Sequence, residues 1–368
     1  MFNKTNFVSF FCSFLVLEVF YLLEVFLIIV SVILSVYNGE KFLQESISSI
    51  LNQTYRNFEV IIIDDCSTDN TKKILERISD PRVKLIKNVE NQGLTKNLNK
   101  GISIANGKYI ARIDADDICF AHRFEKQVKF LETHTDIDMV GSNAIQIDHN
   151  GNFIRVTSLP ITFESICGVL IFANPFIHPS VMIKKDVFKK ISYDENYKSC
   201  QDYKLWVDMK KNGFKFWNIE DSLIAYRINY DGITRKESLF PSRRLSITEK
   251  IYFEIFGDRM TSNDLRVLSK LYHSCLDKCD NINKVGLLID KIGRNISNKN
   301  QKKSFLIITS ERLLHNITFK NCLEFPNFVY VYGIIGYLES RYRFFLNLCV
   351  RRVKKKLSKE LSLLGTNK

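Results

Sequence analysis

Residues 108–117 read Lys-Tyr-Ile-Ala-Arg-Ile-Asp-Ala-Asp-Asp, a short apolar run that ends in three carboxylates within four positions. The apolar part predicts a buried strand over 108–113, and the acidic part predicts a turn at its carboxyl end. Upstream the same unit recurs. Ile28 to Ser35, Phe58 to Ile63 and Val83 to Lys87 read as strands, and Glu40 to Leu51, Asn70 to Ile78 and Leu94 to Ala105 read as the amphipathic helices between them. Such βαβαβαβ order predicts an α/β fold with a mainly parallel, Rossmann-like sheet sandwiched by helices, in which ligands bind outside the carboxyl ends of the strands.

Those ends carry polar groups. Strand one runs into Ser35-Val36-Tyr37-Asn38-Gly39, strand two into Asp64-Asp65-Cys66-Ser67-Thr68-Asp69-Asn70, and strand four into Asp114-Ala115-Asp116-Asp117. Taken alone, Asp64 to Asn70 has the composition of a polar turn with a helix cap. The carboxylates of Asp114, Asp116 and Asp117 repel one another unless a cation or donor groups sit among them. Hard oxygen ligands suit Mn2+ or Mg2+, ions that bind through a few carboxylates plus substrate phosphates. No G-x-x-x-x-G-K-[ST] loop and no G-x-G-x-x-G turn is present, so a P-loop triphosphatase and a dinucleotide oxidoreductase are not supported. Tyr37 and Ser35 can stack on and hydrogen-bond a base, with Asp65 accepting from its N–H groups.

The composition sets wider limits. The 368 residues include 53 Lys and Arg against 40 Asp and Glu, a net charge of +13, with 45% hydrophobic residues and only 15 Gly and 6 Pro. That excludes a disordered chain, a collagen-like repeat and a multi-span channel. The charge is uneven: residues 28–232 carry 26 basic and 26 acidic groups, and the excess lies behind them, with +8 in residues 341–368 alone. The nine cysteines are spread without zinc-finger spacing, which fits reduced thiols in a cytosolic compartment.

The motifs in order resemble the inverting family 2 glycosyltransferases of the GT-A fold, of the bacterial surface-polysaccharide type. They are V-S-V-I-L-S-V-Y-N (Val30 to Asn38), V-I-I-I-D-D-C-S-T-D-N-T (Val60 to Thr71), N-Q-G-L-T-K-N-L-N-K-G-I (Asn91 to Ile102) and A-N-G-K-Y-I-A-R-I-D-A-D-D (Ala105 to Asp117). The match continues through Arg123 and Gln127, H-P-S-V-M (His178 to Met182) and Q-D-Y-K-L-W (Gln201 to Trp206). The resemblance implies a nucleotide-diphosphate sugar donor, a UDP-sugar by expectation, a divalent metal, and transfer to a hydroxyl of a glycan or lipid-linked acceptor with inversion. Carried over, Ser35, Tyr37 and Asp65 hold the base, Asp114 the ribose or metal side, and Asp116 the metal with Asp117 beside it. Asp202 matches the general base, although its residue type also fits a helix cap. His178 reads either as a cleft residue or as a structural histidine, and Lys96 either as a donor contact or as a solvated helix lysine. The family frequently has a histidine where this chain has Asn229, which bears on the metal site. A GT-A-like nucleotidyltransferase and a non-catalytic sugar-nucleotide-binding protein are the rival readings.

The expected organisation is an apolar segment over 1–27, a GT-A catalytic domain over 28–232, a helical accessory region over 233–325 and an aromatic, basic, amphipathic tail over 326–368. Residues 7–29 admit three readings: a membrane anchor interrupted by Glu18 and Glu24, an apolar segment on the membrane surface, or sequence upstream of the true start. The tail has the pattern of an interfacial helix on anionic lipid. Together these place the enzyme at the cytoplasmic face of the inner membrane, acting in O-antigen, capsule or lipopolysaccharide synthesis. No RNA- or DNA-reading motif accompanies the tail, and nucleic acid is not an expected partner.

Overall fold

The structure, a computed structural model, describes residues 29–228 apart from 171, 172 and 198, together with 261, 264, 267, 292, 293, 296, 299–302 and 309. The segment 1–27 and the tail 326–368 lie outside the described residues, as do most positions of the expected accessory helices. The chain divides into two compact units, residues 1–166 with 174–251 and residues 167–173 with 252–368. In the second unit residues 264, 267, 292, 293 and 299–302 are helical, and Val267, Ile292 and Ile296 are buried.

The first unit is built on one sheet. Its strands are β1 (Val30–Val36), β2 (Phe58–Asp64), β3 (Val83–Lys87), β4 (Tyr109–Arg112), β5 (Ile118–Cys119), β6 (Met139–Ile147), β7 (Phe153–Val156), β8 (Met182–Lys184) and β9 (Phe216–Arg227). The helices are α1 (Leu43–Leu51), α2 (Thr71–Glu76), α3 (Leu94–Ile104), α4 (Arg123–Thr133), α5 (Phe163–Val169) and α6 (Gln201–Lys211). Spatial order is β3-β2-β1-β4-β8-β6-β9-β5, with β7 on β6. The first four strands are mutually parallel, as their crossover helices require. Beyond β4 the sheet is mixed: β8 runs antiparallel to both β4 and β6, β6 and β9 are parallel, and β5 and β7 are antiparallel additions. Within the H-P-S-V-M run β8 begins only at Met182, because His178–Ser180 forms a 3-10 turn with Pro179 inside it.

β1 and β2 carry near-continuous apolar runs because they are interior strands. Val30, Val32, Leu34, Val60, Ile61, Ile62 and Ile63 are fully buried, each side chain contributing about 1.5–3 kcal/mol relative to exposure. Where β1 passes the loop before β4 the backbones nearly touch. A Cβ on Gly107 would lie 2.6 Å from the Ser31 backbone nitrogen, so only glycine fits there. Register then fixes the functional edge. Val36 pairs with Asp64 and Ile33 with Arg112, so the turns after β1, β2 and β4 leave the sheet along one rim.

Arg123, fully buried at the start of α4, holds the parallel and antiparallel halves together. Its guanidinium donates to the carbonyls of Arg112 (2.8 Å) and Val181 (3.2 Å), and its Nε donates to Gln127 Oε1 (3.0 Å). Gln127 Nε2 in turn donates to the Ser180 carbonyl (2.7 Å). Arg123→Met keeps the side-chain volume and removes the guanidinium donors to the Arg112 carbonyl and Gln127 Oε1, so it should cost about 2–4 kcal/mol in denaturant unfolding. A wild-type midpoint for that variant would contradict this role.

Candidate active site

At the end of β2, two neighbouring aspartates do different work. Asp64 Oδ1 accepts from the Ser67 N–H (3.0 Å), and Asp69 Oδ1 accepts from the Thr71 N–H at the start of α2 (2.9 Å). These are the turn and cap roles that residue type alone predicts. Asp65 instead reaches across to the loop before α3, taking the N–H groups of Gln92 and Gly93 and the Nδ2 of Asn88, each at 2.8 Å. Burial pushes its carboxyl up, but these donors, with Asn97, outweigh it and hold the group below the usual carboxylate range. Gly93, at φ +87°, supplies the left-handed turn that aims its N–H at this carboxylate.

Ser35 joins the same network. Its Oγ accepts from Asn97 Nδ2 (3.1 Å), and Asn97 Oδ1 accepts from Asn88 Nδ2 (2.8 Å). Ser35, Asp65, Asn88 and Asn97 thus form one continuous polar floor at the ends of β1 and β2. Tyr37 projects from it, 52% exposed. Lys96 lies on the same helix as Asn97, on its exposed side.

The turn after β4 brings Asp114, Asp116 and Asp117 together, with one carboxylate oxygen from each within 4.8 Å of the others. Asp114 takes both Nη atoms of the buried Arg112, one at 2.7 Å and the other closer. Asp117 is fully buried: Oδ1 accepts from the Arg227 N–H (2.8 Å), whereas Oδ2 has no hydrogen-bond partner among the described residues. Burial, followed by the charges of Asp114 and Asp116, pushes the Asp117 carboxyl well above its ordinary range. A buried carboxylate oxygen with no donor, in a cluster of three acids, is what a divalent cation satisfies. The donor set is all oxygen and fits Mn2+ or Mg2+.

Arg227, at the end of β9, straps this turn in place. Besides its N–H on Asp117, its Nε donates to the Asp116 carbonyl (2.9 Å) and its Nη2 to Glu45 of α1 (2.6 Å), with the guanidinium 4.3 Å from the centre of the Phe42 ring.

Asp202 occupies the first turn of α6, where the helix dipole favours a carboxylate. Asn174 Nδ2 donates to its Oδ2 at 2.5 Å. Burial pushes the Asp202 carboxyl up, against the N–H of Tyr203, the Asn174 amide and the positive charge of Arg112. The result is a carboxyl raised toward the range of a general base. His178 is buried, with Nε2 on the Tyr193 hydroxyl (2.7 Å) and its ring edge-on to Trp206. Burial and the Arg112 charge hold its imidazole neutral.

Three non-glycine residues among those described have positive φ, and all three border these groups: Asn38 (φ 54°) after Tyr37, Cys66 (φ 64°) after Asp65, and Cys200 (φ 55°) before Asp202. Strained backbone of this kind gathers where side chains must be presented at a set angle. Sequence reasoning missed Arg112, Arg227, Asn88, Asn97 and Asn174. One signal was available: Arg112 is a charge inside an apolar strand, two residues before a carboxylate.

Comparison with known proteins bears on the family and the fold. Residues 31–192 match the family described as Glycosyl transferase family 2. An uncharacterized glycosyltransferase of Methanocaldococcus jannaschii is 40% identical over 223 residues, covering 58% of this chain and 76% of that protein. The O-antigen biosynthesis glycosyltransferase WbnJ of Escherichia coli is 35% identical over 254 residues, covering 67% and 95% respectively. The fold resembles that of S. aureus TarS 1-349 in complex with UDP-GlcNAc, at a TM-score of 0.54 and 19% identity over 78% of this chain and 89% of that one. The chain is a glycosyltransferase of GT-A fold and belongs to glycosyl transferase family 2.

Proposed function

We propose that the enzyme transfers a sugar from a nucleotide-diphosphate donor, a UDP-sugar by preference, to a hydroxyl of a glycan or lipid-linked glycan, with inversion at the anomeric carbon. The observation that carries this reading is the placement of Arg112. Its guanidinium is hydrogen-bonded to Asp114, and its charge also acts on Asp117, Asp202 and His178. Two motifs about 90 residues apart in the chain therefore lie within the electrostatic reach of one buried cation, as a donor-phosphate site and an acceptor-side base must share one cleft.

In this reading Ser35, Tyr37 and Asp65 receive the base and ribose, Asp65 by shaping the loop before α3. Asp114, Asp116 and Asp117 would hold a divalent metal, which when bound neutralises charge developing on the leaving diphosphate. Arg112 orients Asp114 through both of its Nη atoms, and Arg227 keeps the acidic turn against β9. Asp202 takes the proton of the acceptor hydroxyl as the new C–O bond forms, while the bond from the anomeric carbon to the diphosphate breaks and its electron pair leaves on phosphate. No covalent enzyme intermediate is required. Lys96 and His178 are assigned to the donor side of the cleft, His178 acting as a neutral group through its contact with Tyr193.

The acceptor is assigned to the membrane because residues 341–368 carry +8 interleaved with apolar positions, and because a relative matched over 95% of its own length is named for O-antigen biosynthesis. Among the described residues no helix is long and apolar enough to cross a membrane. Nucleotide-diphosphate release from a panel of UDP-, GDP- and dTDP-sugars, with bacterial membrane extract or free saccharides as acceptor, tests the reading. Turnover with one nucleotide class and extract is expected. Transfer confined to soluble protein or free sugar would overturn the acceptor assignment.

A further inference from the structure

Asn174 stands immediately before Pro175, which confines its backbone to extended conformations. Its side-chain Oδ1 accepts from Trp206 Nε1 (3.1 Å) and from the Phe176 N–H (3.1 Å). Both partners can only donate, so the amide oxygen must face them and the NH2 must face away. What it faces is Asp202 Oδ2, at 2.5 Å. Asp202 and Trp206 are one helical turn apart on α6, and the amide bridges the two. Trp206 is itself fully buried and fixed edge-on by the Phe176 ring (5.3 Å between centroids) and by His178 (5.9 Å).

We infer that Asn174 is a positioning residue for the transfer reaction, its amide locked by Trp206 and Phe176 so that it holds the Asp202 carboxylate in one orientation as proton acceptor. The inference rests on the reading of Asp202 as the base. It also gives the tryptophan of the Q-D-Y-K-L-W run a role beyond packing, since its indole N–H decides which end of the amide meets the carboxylate.

The groups that act on Asp202 are known. Arg112 and the Tyr203 N–H favour its ionised form with Asn174, its charge is felt at Tyr193, whose hydroxyl is on His178, and Lys204 on the same helix is paired with Asp208 (2.6 Å). Removing the amide therefore removes one of four influences that favour the ionised form, the others being the Tyr203 N–H, the Arg112 charge and the N–H of Asp202 itself. The Asp202 carboxyl should then protonate at higher pH.

The full chain is tested as wild type, Asn174→Ala, Asn174→Asp and Asp202→Asn. Two readouts are followed: the 13C carboxyl titration of Asp202, assigned by its loss in Asp202→Asn, and the pH profile of kcat with the donor selected by the panel above. In Asn174→Ala the titration midpoint and the acid limb of kcat should both rise by about one pH unit, with kcat near neutral pH down about tenfold or more. Donor KM should change less than about threefold, since Asn174 is placed on the acceptor side. Asn174→Asp can still accept from Trp206 and Phe176 but presents a second carboxylate to Asp202. It should raise the midpoint further, and it carries the test if the alanine variant does not fold. Unchanged midpoints in the Asn174 variants, with Asp202→Asn inactive, would overturn the positioning role and leave the base assignment standing. Wild-type turnover in Asp202→Asn would remove both.

Discussion

Asp202→Asn should lower kcat by about 10²–10⁴-fold across the whole pH range, with donor KM close to that of wild type. The amide is nearly isosteric with the carboxylate, keeps the first-turn position on α6 and cannot accept a proton. The loss is therefore one of chemistry and not of folding, and it should persist where the wild-type acid limb has levelled off. The raised Asp202 carboxyl gives that limb its direction. Burial favours the protonated form, so activity falls as pH drops through a midpoint above the ordinary aspartate value near about 4. Steady-state kinetics from about pH 5 to 9 would check both features, and a variant retaining more than about a tenth of wild-type kcat would contradict the assignment.

Asp116→Asn should cost about two to three orders of magnitude in kcat/KM, and chelation of divalent ions should do the same to wild type. Loss of a metal that offsets several kcal/mol of developing phosphate charge gives an effect of this size. The acidic turn is predicted to behave as a unit. Asp116 is one of the three clustered carboxylates and is less buried than Asp117, so its amide variant weakens the cation site without placing an amide in the fully buried Asp117 position. Addition of Mn2+ should rescue chelated wild type but not Asp116→Asn at the same concentration. Full activity in the presence of a strong chelator would remove the metal from the account.

The βα half of the fold was legible in the sequence because its strands are interior. Val30–Val36 and Phe58–Asp64 are apolar without alternation, and strands of that kind, spaced by amphipathic helices, have few alternatives to a parallel sheet. The mixed half was less legible. β8 is three residues long, too short to carry a period, and the pairing of β6 with β9 is broken by register shifts that interrupt the alternation along both. At the site the carboxylates were legible from their positions after strands. Their supports were not, because asparagine and arginine acquire such roles only through partners distant in the chain: Asn174 with Asp202 and Trp206, Arg227 with Glu45 and Asp117. His178 shows the same limit from the other side. Its type and motif admit a substrate contact, while its Nε2 is on Tyr193 and its ring is buried.

A single displacement with Asp202 as base fixes the stereochemistry of the product. The anomeric configuration of the transferred sugar, read by NMR from the donor and from the isolated product, therefore tests the account most directly. From an α-configured nucleotide sugar the account predicts a β-linked product, whereas an α-linked product would mean retention and contradict it.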